Sequence, residues 1–199
     1  ARAAGRMDVD HAFYAGATHD NTHLLAEMER MTGCCGVKVF MGASTGNMLV
    51  DNPDTLDAIF REAPTPIITH CEDTPTIDAL LAGYKARYGD DIPPQCHPDI
   101  RSREACIKST RLAIALARQH GTRLHVLHIS TADELALFEP GPLVRADGSR
   151  KRITAETCVH FLRFDRADYA RLGHLIKCNP AIKDAGDREA LVAALADDV

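Results

Sequence analysis

The sequence predicts an α/β protein built on a parallel sheet, and three observations carry that prediction. Short apolar, β-branched runs alternate with longer segments whose apolar residues recur at helical spacing. No run of hairpins interrupts the alternation, so successive strands must be joined by crossover helices. Ionisable residues gather at the ends of the apolar runs, and in parallel α/β folds the C-terminal strand ends carry the chemistry.

The elements follow in order. "MDVDHAFYAGAT" (7–18) reads as a short strand and a turn, and "NTHLLAEMERMTG" (21–33) as a helix closed by Gly33. "GVKVFMG" (36–42) is a strand, "STGNMLVDN" (44–52) a loop, and Pro53 opens a short helix over 53–63. A strand runs from about Pro66 to His70, and 74–89 is helical. "DDIPPQCHPDIRS" is a proline-rich loop. The segment 103–121 is the clearest helix, ended by Gly121. "TRLHVLHIS" is a strand, and 131–139 a short helix with a Thr cap and acidic first turn. "RITAETCVHFL" opens as a strand. "RADYARLG" is a short helix, "HLIKCNPAIK" extended or irregular, and "DREALVAALA" a final helix.

About five strands are visible. A (β/α)₈ barrel needs eight, in about 250 residues, whereas an open doubly wound sheet closes with five, so the strand count favours neither. The 199 residues are 45% apolar, with no internal repeat and no low-complexity linker, and one domain over 1–199 is expected. The chain has no initiator Met and ends in a helical pattern without a stop signal, so the expectation is part of something longer.

Composition narrows the function classes. A net charge of −5, without basic blocks, argues against nucleic acid and membrane surfaces as partners. The longest apolar runs fall far short of a bilayer span, and "ARAAGRMDVD" lacks the apolar core of a signal peptide. Seven cysteines, two of them adjacent at Cys34–Cys35, suit a reducing cytoplasm better than a disulfide framework. Ten histidines prompt a search for metal ligands.

Four strand ends hold candidates: Lys38, His70 of "PIITH", His128 of "LHVLH" and Glu156 of "RITAE". A lysine inside an apolar strand is costly unless paired or chemically altered. Lys38 can reach the surface along its stem, form a Schiff base, or react with carbon dioxide to give an anionic carbamate that bridges two divalent cations. Neutral imidazoles on the next strands are the partners zinc would take. His125 is three residues from His128 and, in a strand, faces the opposite way. Other groupings read as structural: His19 and His23 lack the glutamate of a zinc helix, and Cys158-x-His160 with His174-x₃-Cys178 matches no common zinc module. "GASTGN" lacks the lysine of a P-loop and reads as a turn.

With these residues in place, the chain resembles dihydroorotase, in the amidohydrolase superfamily of metal-dependent (β/α)₈ barrels. The resemblance rests on "GVKVFMGASTGNMLVDN" (36–52), "ITHCED" (68–73), "LHVLHISTADEL" (124–135), "ITAETCVHFL" (153–162) and "KCNPAIK" (177–183), in the family's order. It implies an incomplete TIM barrel, covering about strands three to seven. It implies a carboxylated Lys38 bridging two zinc ions, with His70 and His128 as further ligands. Asn179 matches the asparagine of a substrate-contacting "NPP" segment, its second proline replaced here by Ala181. Asn47 is expected near the substrate, and Glu156 and His160 in supporting roles.

The family's His-x-His and its catalytic aspartate have no counterpart in these residues, so no catalytic base is assigned within the chain. The implied activity of the complete enzyme is zinc-dependent, reversible hydrolysis of dihydroorotate to carbamoyl aspartate, a pyrimidine biosynthesis step. The isolated chain is expected to be inactive, and its open sheet edges make homodimerisation an expected association. Two alternatives stand beside this: a hydantoinase or dihydropyrimidinase with a similar lysine strand, and a metal-free dihydroorotase-like scaffold.

Overall fold

A computed structural model describes residues 3–42 and 48–196. Five strands, β1 (Phe13–Gly16), β2 (Cys34–Phe40), β3 (Ile67–His70), β4 (Leu124–Val126) and β5 (Ile153–Ala155), form one sheet in the order β1-β2-β3-β4-β5. Each neighbouring pair is parallel. A doubly wound sheet reverses its strand order at a switch point. This sheet does not; strictly sequential parallel order is the progression of a (β/α)₈ barrel. The sequence expectation of an incomplete barrel therefore holds.

The helices are α1 (Pro53–Glu62), α2 (Thr74–Tyr88), α3 (His97–Ile100), α4 (Arg103–His120), α5 (Ala132–Leu135), α6 (Val159–Arg163), α7 (Tyr169–Leu172) and α8 (Ala185–Ala194). The segment expected as an α-helix between β1 and β2 is a 3₁₀ helix, Thr22–Arg30. Three further sequence expectations are shortened: β4 stops at Val126, α5 at Leu135, and the strand opening "RITAETCVHFL" gives way to α6.

Helix starts are set by side-chain caps, each satisfying an amide the first turn leaves free. Asn52 accepts from the Thr55 amide ahead of α1, Asp73 from Thr76 ahead of α2, and Ser102 from Ala105 ahead of α4. Gly121 ends α4 in the left-handed conformation, φ 64°, which a glycine adopts without steric cost.

The core lies between one sheet face and the helices. Val37, Val39, Ile67, Leu124 and Val126 point outward from the strands, and pack with Leu56, Ile59 and Phe60 of α1 and Ala113, Ile114 and Ala117 of α4. Those helical positions recur every three or four residues, which puts them on one stripe. Full burial of side chains such as Ile59 and Phe60 contributes about 1.5–3 kcal/mol each. Strand alternation then sends Lys38, Phe40, Ile68, His70 and His125 to the opposite, inner face. Gly42 lets the ends of β2 and β3 approach closely: a Cβ there would lie 1.8 Å from the Glu72 carbonyl oxygen. Among the described residues no helix is long and apolar enough to cross a membrane.

Candidate functional site

The C-terminal ends of the strands are laced together beyond their formal limits. The Met41 amide donates to His70 O, Leu127 to Thr69 O, Ile129 to Glu156 O and Glu156 to Val126 O, all at 2.8–3.0 Å. This fixes the backbone from which the candidate side chains project. His70 ends β3, and its neighbour in register on β2 is Phe40, so Lys38 lies one inner-face position earlier.

His128 lies two residues past β4 and holds φ 43°, a left-handed backbone uncommon for a residue with a side chain. That conformation resets the strand alternation. His125 is on the inner face with Ile68, and the His128 ring also reaches that face, where it meets His70. The expectation that the two histidines face opposite ways therefore fails, because the strand ends between them. Downstream, the Glu134 carboxylate accepts from the Ser130 amide, Thr131 Oγ1 and Thr110 Oγ1, while Thr131 Oγ1 accepts from the Glu134 amide. This reciprocal cap holds the turn that follows His128.

His70 Nδ1 and His128 Nε2 are 3.0 Å apart. His70 Nε2 is 2.9 Å from Glu72 Oε2, and Arg101 Nη1 donates to the same oxygen at 2.6 Å. A carboxylate only accepts, so His70 donates from Nε2, and in the neutral ring Nδ1 then carries the lone pair. Burial opposes the Glu72 charge, but the His70 hydrogen bond and the Arg101 guanidinium outweigh it and hold the carboxyl below its usual range. His128 is pushed down to about 3, first by burial, then by His70 and Lys38 nearby, and its Nδ1 is buried without a hydrogen-bond partner. Burial lowers the Lys38 amine to about 8, and its Nζ lies 4.5 Å from the centre of the Phe40 ring.

Burial thus disfavours protonation of Lys38 and His128, and His70 lies against His128. Among the described residues no group of three or more His, Cys, Asp or Glu side chains gathers as a ready metal cage. The donors present nonetheless fit a metal. Two imidazole nitrogens 3.0 Å apart have the spacing of adjacent ligands, given zinc–nitrogen bonds of about 2.0–2.1 Å. With His70 Nδ1 bare, the 3.0 Å hydrogen bond is donated by His128 Nε2, and coordination through that atom would require its proton to move to the unpartnered His128 Nδ1.

The other sequence candidates fall into place around this pair. Asn179 is exposed, next to a cis Asn179–Pro180 bond, and its loop is tied to α3 by His97 Nε2, which donates to Cys178 O at 2.8 Å. Glu156 is half-exposed and bonded to His125 Nε2 at 3.2 Å, a supporting position. Asn47 and the "STGN" segment lie outside the described residues. Sequence reasoning missed Arg101 and the role of Glu72. The available signal was an acid two residues after a strand-end histidine. A cleft of about 390 Å³ is lined by Tyr84, Ser102, Arg103, Arg166 and Lys183.

No protein-family model matches the chain. It is 28% identical over 200 residues to the allantoinase of Escherichia coli O139:H28, an alignment covering 95% of this chain and 42% of that protein. Its fold is similar to L-hydantoinase (dihydropyrimidinase) from Arthrobacter aurescens, with a TM-score of 0.79 and 27% identity over 94% of this chain and 40% of that one. The inactive dihydroorotase-like domain of the Chaetomium thermophilum CAD-like multifunctional protein shares the fold at a TM-score of 0.53 and 19% identity, covering 91% of this chain and 40% of that one. The class to which these observations liken the chain is the cyclic amidohydrolases of the allantoinase and hydantoinase type, and its parallel sheet is similar to a segment of their barrel. Within that class its likeness is to allantoinase and hydantoinase, and the narrower expectation of dihydroorotase gains nothing from these relatives. The chain spans 42% of the length of the curated relatives it matches.

Proposed function

We propose that this chain supplies metal-binding and substrate-binding side chains of a metal-dependent hydrolase that opens cyclic amides of the allantoin or hydantoin type. The observation that carries the reading is the convergence of His70 Nδ1 and His128 Nε2 at 3.0 Å on the sheet face that also presents Lys38. The allantoinase and hydantoinase relatives support the ring type.

His70 and His128 donate lone pairs to a divalent ion, zinc being the natural choice for imidazole nitrogen. Lys38 contributes as its carbamate. The ammonium first gives up one proton; the neutral amine then attacks carbon dioxide, a nitrogen–carbon bond forms as one carbon–oxygen π bond breaks, and a second proton leaves, so that a cation becomes a two-oxygen anion. Burial favours this, because it disfavours the ammonium form. A bound metal supplies a water of lowered pKa and a Lewis acid for the amide carbonyl. Asn179 hydrogen-bonds the ring amide of the substrate, and Asn47 belongs to the same role.

The test uses the intact protein. Zinc content is measured for the native protein and for Lys38→Ala, His70→Ala and His128→Ala, alongside turnover of allantoin, hydantoin, dihydrouracil and dihydroorotate. Each variant is expected to lose zinc and activity; unchanged zinc content would sink the ligand assignment. The blocks "KVFMG" and "STGNMLV" favour dihydroorotate as a second reading, and fastest turnover of that substrate would establish it. A native protein with neither zinc nor turnover would be the metal-free scaffold.

A further inference from the structure

We propose that Glu72 and Arg101 are positioning residues: Arg101 fixes the Glu72 carboxylate, and Glu72 fixes the tautomer and ring direction of His70 so that Nδ1, not Nε2, faces the metal. This rests on the metal reading above. The geometry comes from three parts of the chain. His70 ends β3, Glu72 follows in the turn to α2, and Arg101 lies just beyond α3. One carboxylate oxygen, Oε2, accepts from both His70 Nε2 at 2.9 Å and Arg101 Nη1 at 2.6 Å. The Glu72 side chain is 0% exposed and that of Arg101 17%.

A fully buried carboxylate is costly unless its charge is paired, so the pair needs a reason to persist. A hydrogen-bonding carboxylate behind a ligating histidine sets which ring nitrogen is bare and raises its basicity. Glu72 is placed for this because Cys71, between it and His70, is buried while Asp73 caps α2, which pins both ends of the turn. Arg101 supplies the cation that pairs this buried charge. It also joins the two halves of the site: the short helix before it carries His97, which holds the Asn179 loop through Cys178 O.

The experiment reads tautomer and metal affinity separately, on the intact protein with ¹⁵N-labelled histidine. In the metal-free native protein, long-range proton–nitrogen correlation is expected to show His70 protonated at Nε2 and bare at Nδ1; the reverse tautomer overturns the proposal. The double variant Glu72→Leu/Arg101→Met removes both charges together, so neither is left buried alone. It is expected to lose the fixed tautomer and to bind zinc about 10–100-fold more weakly in competition with a chromophoric chelator. Arg101→Lys keeps a cation beside Glu72 and is expected to lose less than the double variant. Native zinc affinity with an unchanged His70 tautomer in the double variant overturns the proposal. If His70→Ala itself leaves zinc affinity unchanged, the metal reading fails, and the tautomer measurement still decides whether Glu72 positions the ring.

Discussion

Glu134 gives the sharpest test of how the His128 turn is held. Its side chain is buried and accepts from Thr110 Oγ1, Thr131 Oγ1 and the Ser130 amide at 2.9, 2.9 and 3.2 Å. Glu134→Ala leaves three buried donors bare, at about 1–3 kcal/mol each. Two are hydroxyls that rotate toward other acceptors, and the cost of burying a carboxylate disappears with it. The expected net loss near neutral pH is about 2–4 kcal/mol. Burial pushes the Glu134 carboxyl above its ordinary 4.5, against those hydrogen bonds and the nearby Lys183, which pull it down.

The sign of the pH dependence follows. Above pH 4.5 and up to the raised value, the folded protein keeps a proton that the unfolded chain has released. Stability from this group therefore falls as pH rises through that window, by at most about 1.4 kcal/mol per pH unit. The alanine variant lacks that slope, so the gap between native and variant is widest at or below pH 4.5 and narrows above it. Urea unfolding of the intact protein, followed by circular dichroism across pH 4.5–7.5, measures the gap. Hydrogen exchange over 128–135 should show the Ser130 amide losing protection. A gap that stays constant or widens with pH would refute the reasoning.

Gly42→Ala forces apart the ends of β2 and β3, since the new Cβ meets the Glu72 carbonyl oxygen. A loss of about 1–3 kcal/mol by denaturant unfolding, with weaker zinc binding, is expected. Asp187 is buried and takes both Arg103 guanidinium nitrogens at 2.6 and 2.7 Å and the Ala132 amide at 2.8 Å. Asp187→Ala should cost about 2–3 kcal/mol, below the range for a fully buried pair because Arg103 is 37% exposed; thermal unfolding reads it. Asn179→Ala should raise KM severalfold with zinc content unchanged, and an unaltered KM removes Asn179 from the substrate contacts.

Lys38, His70 and His128 were legible as candidates because each sits at or just past the end of an apolar run, a feature that sequence displays directly. His125 was misread because alternation holds only while the chain stays extended. β4 stops at Val126, and His128 turns left-handed, a backbone change that no residue type at that position announces. The strand count left two topologies open, and the sequential sheet order was legible only through the family resemblance, because strand count does not say which strands are neighbours. Arg101 was hidden for a different reason. Its partner is 29 residues away, and an arginine ending a proline-rich loop carries no periodic signal.

Under the proposed metal reading, the charges around the site bear on the form of Lys38. Glu72 is the buried carboxylate closest to the two histidines, and Arg101 and His70 already claim the oxygen it offers them. Glu156 is 48% exposed and engaged with His125. A divalent ion placed between His70 and His128 would bring positive charge beside two imidazoles and a lysine; among the described residues the carboxylates at hand are Glu72, already paired with Arg101 though its Oε1 has no hydrogen-bond partner, and Glu156. As an ammonium, Lys38 would repel that ion; as an uncharged amine it would add no balancing charge. On the proposed reading the Lys38 carbamate would add an anion there, and burial, which lowers the amine to about 8, raises the share of the neutral form that this conversion consumes. On that proposal, the side chain that makes the apolar strand anomalous would join the two histidines in the ligand set.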